Sequence, residues 1–167
     1  MQKIQSMKQT IHAIRYTQEQ EEALFSETLT LKNDARQVSL LNDFMKGVLG
    51  RLDIASKQAK EIRLAVEEVV VNVMSYAYPI GVEGDITVTV SSDGHQLKFI
   101  ISDTGTPFDP TEINQADITL SIEDRPIGGL GFHLVRQLVD SINYERQDGR
   151  NILTLRKRIV KSDIVNN

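Results

Sequence analysis

Apolar residues at Val38, Leu41, Phe44, Met45, Val48 and Leu49 recur every three to four positions, the mark of a helix with one inward face. Gly50 is its expected stop. A second helical stretch runs from about Ser56 to Tyr76 and ends ahead of Pro79. Strict alternation replaces helical spacing at 27–32, which predicts a short edge strand. Two further strand pairs are predicted at 85–91 with 96–102 and at 141–146 with 151–158. They flank Asp93-Gly94 and Asp148-Gly149, and an Asp-Gly pair between apolar runs is a strong hairpin signal. Residues 106–127 carry few large apolar groups and no period, so a loop is expected there. A third helix starts near the glycines at 128, 129 and 131 and buries Leu134, Val135, Leu138 and Val139.

The resulting order is β-α-α-β-β-loop-α-β-β. Neighbouring strands join through hairpins rather than crossover helices. The expectation is an α+β two-layer sandwich with a mixed, largely antiparallel sheet and helices on one face. The folded domain is expected over 25–160. Residues 1–24, polar and rich in Gln and Glu, read as an extension, helical or disordered, and 161–167 as a tail. The glycine-rich segment is not a dinucleotide fingerprint, because it neither follows its strand directly nor opens a βαβ unit.

Composition narrows the class. With 167 residues the chain can bury a sizeable core without covalent staples. Its 19 basic and 23 acidic side chains give a net charge of -4, which argues against direct nucleic-acid binding. The cluster Arg156-Lys157-Arg158 reads as a solvated strand end. There are no cysteines, so disulfides and thiolate metal sites are excluded. Neither a membrane-spanning run nor the apolar core of a signal peptide is evident, and a cytoplasmic protein without membrane contact is expected.

Candidate chemistry begins on the second helix. At about 100° per residue, Ile62, Val66, Val69, Val73, Tyr76 and Ala77 form its core face. Glu68, Asn72 and Ser75 then share one flank, and Glu67 points elsewhere. Glu68 and Asn72 stand one turn apart and reach into the same space. They either cap the polar edge of an amphipathic helix or divide labour, Asn72 offering a carbonyl oxygen to a hard cation and Glu68 accepting a proton.

Two more features are each ambiguous alone. Asp103, at a strand end before Gly105, either closes an Asx turn or presents a carboxylate to an exocyclic amine such as that of adenine. Gly128, Gly129 and Gly131 ahead of a helix form either an ordinary turn or a phosphate cradle, where backbone amides and the helix dipole meet an anion.

Glu68 with Asn72, Asp103-Thr-Gly105 and Gly128-Gly-Leu-Gly131, in this order, resemble the N, G1 and G2 boxes of the Bergerat-fold ATPases. DNA gyrase, sensor histidine kinases and the mismatch-repair protein MutL belong to that superfamily. The texture around them, Ala65-Val-Glu-Glu-Val-Val-Val-Asn72, Asp103-Thr-Gly-Thr-Pro-Phe-Asp109 and Gly128-Gly-Leu-Gly-Phe-His-Leu-Val135, is similar to the anti-sigma factor serine/threonine kinases. The resemblance covers about 27–159. It implies ATP and Mg²⁺ as cofactors, with residues 106–127 as a lid. It further implies Glu68 as general base, Asn72 as the Mg²⁺ residue, and Asp103 as partner of the adenine amine. Gly105 would let the backbone pass the base, and Gly128, Gly129, Leu130 and Gly131 would hold phosphates. Ser75, Tyr76, Pro107 and Arg125 would complete the nucleotide site, and Thr154 would support Asp103 through a water. Position 76 is Tyr where relatives often carry His.

The leading expectation is therefore an ATP-dependent protein serine/threonine kinase acting as a partner-switching regulator. Its substrate would be a small anti-sigma-antagonist protein, with a sigma factor and a homodimer as further partners that the resemblance allows. A second class is a module that binds nucleotide to shape a partner surface without phosphoryl transfer. A histidine kinase half is disfavoured, since none of His12, His95 and His133 lies in a helical hairpin suited to phosphoacceptance.

Overall fold

The computed structural model describes residues 23–112 and 129–162, and of Gly129 and Leu130 the backbone alone. Its strands are β1 (Phe25–Lys32), β2 (Asp85–Ser92), β3 (Gln96–Asp103), β4 (Ser141–Gln147) and β5 (Arg150–Arg158). Its helices are α1 (Val38–Arg51), α2 (Ser56–Tyr76) and α3 (Gly129–Leu138). The sheet order is β1-β2-β3-β5-β4. Every pairing is antiparallel, which corrects the expectation of a mixed sheet. The central β3–β5 pair is joined through α3 and β4 rather than by a hairpin.

Period-2 alternation decides which face each strand residue takes. Leu31, Ile86, Val88, Phe99, Ile101 and Leu155 stand on one face in register and are almost fully buried. Leu41, Met45 and Val48 of α1, Ile62, Val66, Val69 and Val70 of α2, and Phe132 and Val135 of α3 close that core. Each such side chain contributes about 1.5–3 kcal/mol on leaving water. Leu134 and Leu138 are only partly buried, and Phe132 takes the inward position instead. Leu41 and Met45 are core residues.

The turns follow their sequences. Asp148 and Gly149 both adopt positive φ (50° and 77°), the pair of left-handed residues a two-residue hairpin needs. In the β2–β3 turn, Asp93 accepts the His95 and Gln96 amides at 2.8 and 2.7 Å, which holds its carboxyl below the usual range. Helix α1 does not stop at Gly50. It continues to Arg51 and closes on Asp53 at φ 54°, with Asp53 N donating to Gly50 O and Ile54 N to Leu49 O. This six-to-one closure buries Ile54 after the turn, so a local Asp–apolar pair ends the helix rather than the glycine. Gln58 then pins the start of α2 to the end of β5, donating to Arg158 O and accepting from Val160 N at 2.8 Å each. Pairing continues past 160 through the Ile54–Lys161 bridge. Among the described residues no helix is long and apolar enough to cross a membrane.

Candidate active site

The flank of α2 divides as its geometry requires. Glu67 turns toward α1, where Oε2 accepts from Asn42 Nδ2 at 2.9 Å. Glu68 and Asn72 turn toward α3. A Cβ at Gly131 would strike the Glu68 carboxylate and lie 3.7 Å from Asn72 Nδ2, so the glycine leaves the Glu68 side chain free to hold this position. Gly129 is the first residue of α3 and Gly131 its third. Gly129 and Gly131 thus lie in the first helical turn instead of preceding it, and the Cβ direction at Gly131 faces the flank carrying Glu68 and Asn72. Gly128 and Arg125 lie outside the described residues, as does the stretch 113–127 of the expected lid.

The second cluster is built at the end of β3. Ile86, Asp103, Asn151 and Arg146 form one row across four strands. Asp103 is 3% exposed, its side chain on the helix side of the sheet. Its Oδ1 accepts from Gly105 N at 2.8 Å and from Asn151 Nδ2 at 2.9 Å. Asn151 Nδ2 also donates to Thr106 O at 3.0 Å, while its Oδ1 accepts from Tyr144 Oη at 2.7 Å and Arg146 Nη1 at 2.8 Å. Arg146 Nη1 donates further to Gly105 O at 3.0 Å.

The turn itself is clamped to the end of α2. Thr106 N donates to Ala77 O at 2.7 Å, and a Cβ at Gly105 would meet the Ala77 backbone within 2.8 Å. Tyr78 bridges from the same helix end. Its hydroxyl accepts from Thr104 N and donates to Asp85 O, both at 3.0 Å, and its ring fills the space a side chain at Gly84 would need. Beyond the turn, Arg136 of α3 donates to Pro110 O and Thr111 O at 3.2 and 2.7 Å, tying the two clusters' supports together. Ser75, Tyr76 and Pro107 are solvent-exposed.

One expected site residue is misplaced. Thr154 pairs with Ile100, whereas Asp103 pairs with Asn151, three residues away and out of phase. Its side chain therefore points to the open face of the sheet, and support of Asp103 falls to Asn151, directly rather than through a water. Asn151, Arg146, Tyr144 and Tyr78 were not expected in these roles. Asp148-Gly149 does signal that Arg146 faces Asn151, but the β3–β5 register that brings both to Asp103 has no local signature.

A domain of this fold, with a carboxylate at a strand end and a glycine-opened helix beside a Glu/Asn flank, defines the histidine kinase-like ATPase class. Residues 31–157 match the histidine kinase-like ATPase domain family, and the chain belongs to it. The chain is 27% identical over 136 residues to a serine-protein kinase RsbW of Bacillus cereus, covering 79% of this chain and 84% of that protein. A serine-protein kinase RsbW of Bacillus anthracis is 26% identical over the same length and the same shares of both chains. Among solved structures, the RsbU and RsbW domains of a Mycobacterium tuberculosis protein share the fold at a TM-score of 0.59 and 16% identity, over 84% of this chain. The chain spans about a third (35%) of that structure.

Proposed function

We propose that the chain is an ATP-dependent protein serine/threonine kinase that phosphorylates a small anti-sigma-antagonist protein, with a sigma factor as the partner it holds or releases. The observation that carries this reading is the packing of Glu68 and Asn72, one turn apart on α2, against Gly131 in the first turn of α3. A carboxylate placed where a helix N-terminus gathers phosphate is suited to proton abstraction from a hydroxyl attacking there.

The residues present fit a magnesium nucleotide. Asp103 Oδ2 has no hydrogen-bond partner among the described residues, so one acceptor is left for an exocyclic amine. At Gly131 the absence of a Cβ leaves the Glu68 carboxylate against the first turn of α3. When bound, ATP with Mg²⁺ supplies the phosphoryl group, and such transfer rests mainly on positioning and charge. Asp103 orients the base, Asn72 offers its carbonyl oxygen to the cation, and the first turn of α3 directs its amides at the phosphates. Glu68 takes the proton from the substrate's serine or threonine hydroxyl. The names of the RsbW relatives support a serine as acceptor.

The test is transfer of labelled γ-phosphate to a candidate antagonist domain carrying an exposed Ser. Transfer by the parent chain, together with at least ~100-fold weaker ATP binding by Asp103→Asn, is the expected result; that loss corresponds to the ~3 kcal/mol a charged hydrogen bond can supply. ATP binding without transfer to any such domain would favour a nucleotide-responsive binding module. Unchanged ATP binding by Asp103→Asn would remove the nucleotide reading itself.

A further inference from the structure

We infer that Asn151, held by Tyr144 and Arg146, is a positioning residue that sets base selectivity, because it commits Asp103 to accept a hydrogen bond from a 6-aminopurine. This deepens the nucleotide reading above and rests on it.

The orientation of the Asn151 amide follows from its neighbours. A guanidinium only donates, so the amide atom at 2.8 Å from Arg146 Nη1 is oxygen, and the Tyr144 hydroxyl donates to the same atom. The nitrogen end then faces acceptors only: Asp103 Oδ1, Thr106 O and, at 3.4 Å, Gly105 O. Reversing the amide would set donor against donor and acceptor against acceptor. At 7% exposure no water can readily relieve such a clash, so a single orientation is selected.

Two consequences reach Asp103. Gly105 N and Asn151 Nδ2 occupy both lone pairs of Oδ1. The side chain cannot rotate without losing them. Oδ2 is left as a fixed acceptor beside the turn that Arg146 and Asn151 also hold through the carbonyls of Gly105 and Thr106. A purine with an amine at position 6 completes this arrangement, and a purine without one leaves a buried carboxylate oxygen unpaired. Rejection of analogues that lack a hydrogen-bonding group is strong in sites built this way. The β4–β5 hairpin supplies all three residues, and its Asp148-Gly149 turn sets Arg146 opposite Asn151.

The experiment compares displacement of a fluorescent ATP analogue by ATP and by purine riboside triphosphate, which lacks only the 6-amino group. The parent should prefer ATP by ~100-fold or more, and Asp103→Asn should abolish that preference. Asn151→Ala should cut the preference to within ~10-fold by weakening ATP while leaving the deamino nucleotide nearly unchanged, as expected for loss of a hydrogen bond to a charged group. Tyr144→Phe, which keeps Asn151 and removes one orienting donor, should cut it ~3-fold and serves if Asn151→Ala does not fold. Equal weakening of both nucleotides by Asn151→Ala would mean a structural role only and would overturn the inference. So would a parental preference in Tyr144→Phe, or in Asn151→Ala when Asp103→Asn has lost its own. A parental preference in Asp103→Asn would instead remove the nucleotide reading beneath it.

Discussion

Around Asp103, hydrogen bonds from Gly105, Asn151, Tyr144, Arg146 and Tyr78 fix the turn before any ligand arrives, whereas Glu68 and Asn72 make no hydrogen bond or ion pair among the described residues. The Asp103 end is rigid because its partners come from β3, β4, β5 and the end of α2 at once. Among the described residues the Glu68 end takes its geometry from helix packing, and on the proposed reading its side chains are left to meet phosphate, metal and hydroxyl. Selectivity needs an acceptor that cannot adapt. Transfer needs groups whose partners arrive with the substrate, and an already paired carboxylate is a poor base. On the proposed reading, the contrast places binding selectivity in the sheet and chemistry at the α2–α3 contact.

Substitutions at the two glycines break this contrast in opposite ways. Gly131→Ala acts on the open end. Its Cβ meets the far end of the Glu68 side chain, which can swing aside, and alanine is favoured over glycine in a helix by about 1 kcal/mol. Phosphoryl transfer should fall ~10–100-fold while thermal stability holds or rises, the trade-off between stability and activity expected at a functional site. A melt read beside single-turnover transfer checks both.

Gly105→Ala acts on the rigid end. There the Cβ meets the backbone of Ala77, which cannot swing aside, and overpacking of this kind costs about 1–3 kcal/mol. The loss should appear in chemical denaturation and, with it, in weaker ATP binding. Tyr78→Phe is milder. It removes the hydroxyl that bridges Thr104 N to Asp85 O but keeps the ring over Gly84, so about 1 kcal/mol of stability is expected to go. Its ATP affinity should drop no more than ~5-fold if the Asn151 network alone holds Asp103, and a larger drop would make Tyr78 part of the same support.

Much of this was legible in the chain, for identifiable reasons. The limits of α2 follow from its uninterrupted period and the Pro79 stop, and both hairpins follow from their Asp-Gly pairs. Glu67 and Glu68 separate by helical geometry alone, and the Asn42 bond to Glu67 agrees with that separation. What failed was non-local. Residues 151, 153, 154 and 155 of β5 are all buried, so alternation does not reveal which side faces the helices. Only pairing with β3, across an intervening helix and strand, sets Asn151 beside Asp103 and turns Thr154 away. Helix ends failed for a different reason: Gly50 is a plausible stop, but the left-handed residue is Asp53, two residues past the last turn.

The division of roles rests finally on Glu68, and the direct measurement is ATP affinity and single-turnover phosphoryl transfer measured together in Glu68→Gln. The variant keeps the size and shape of the side chain and loses the carboxylate, with its charge, that would take the proton. The account predicts ATP binding within ~3-fold of the parent and transfer slowed ~100-fold or more, the scale of a general base. Transfer at the parental rate would contradict it, and so would a loss of transfer fully explained by lost ATP binding.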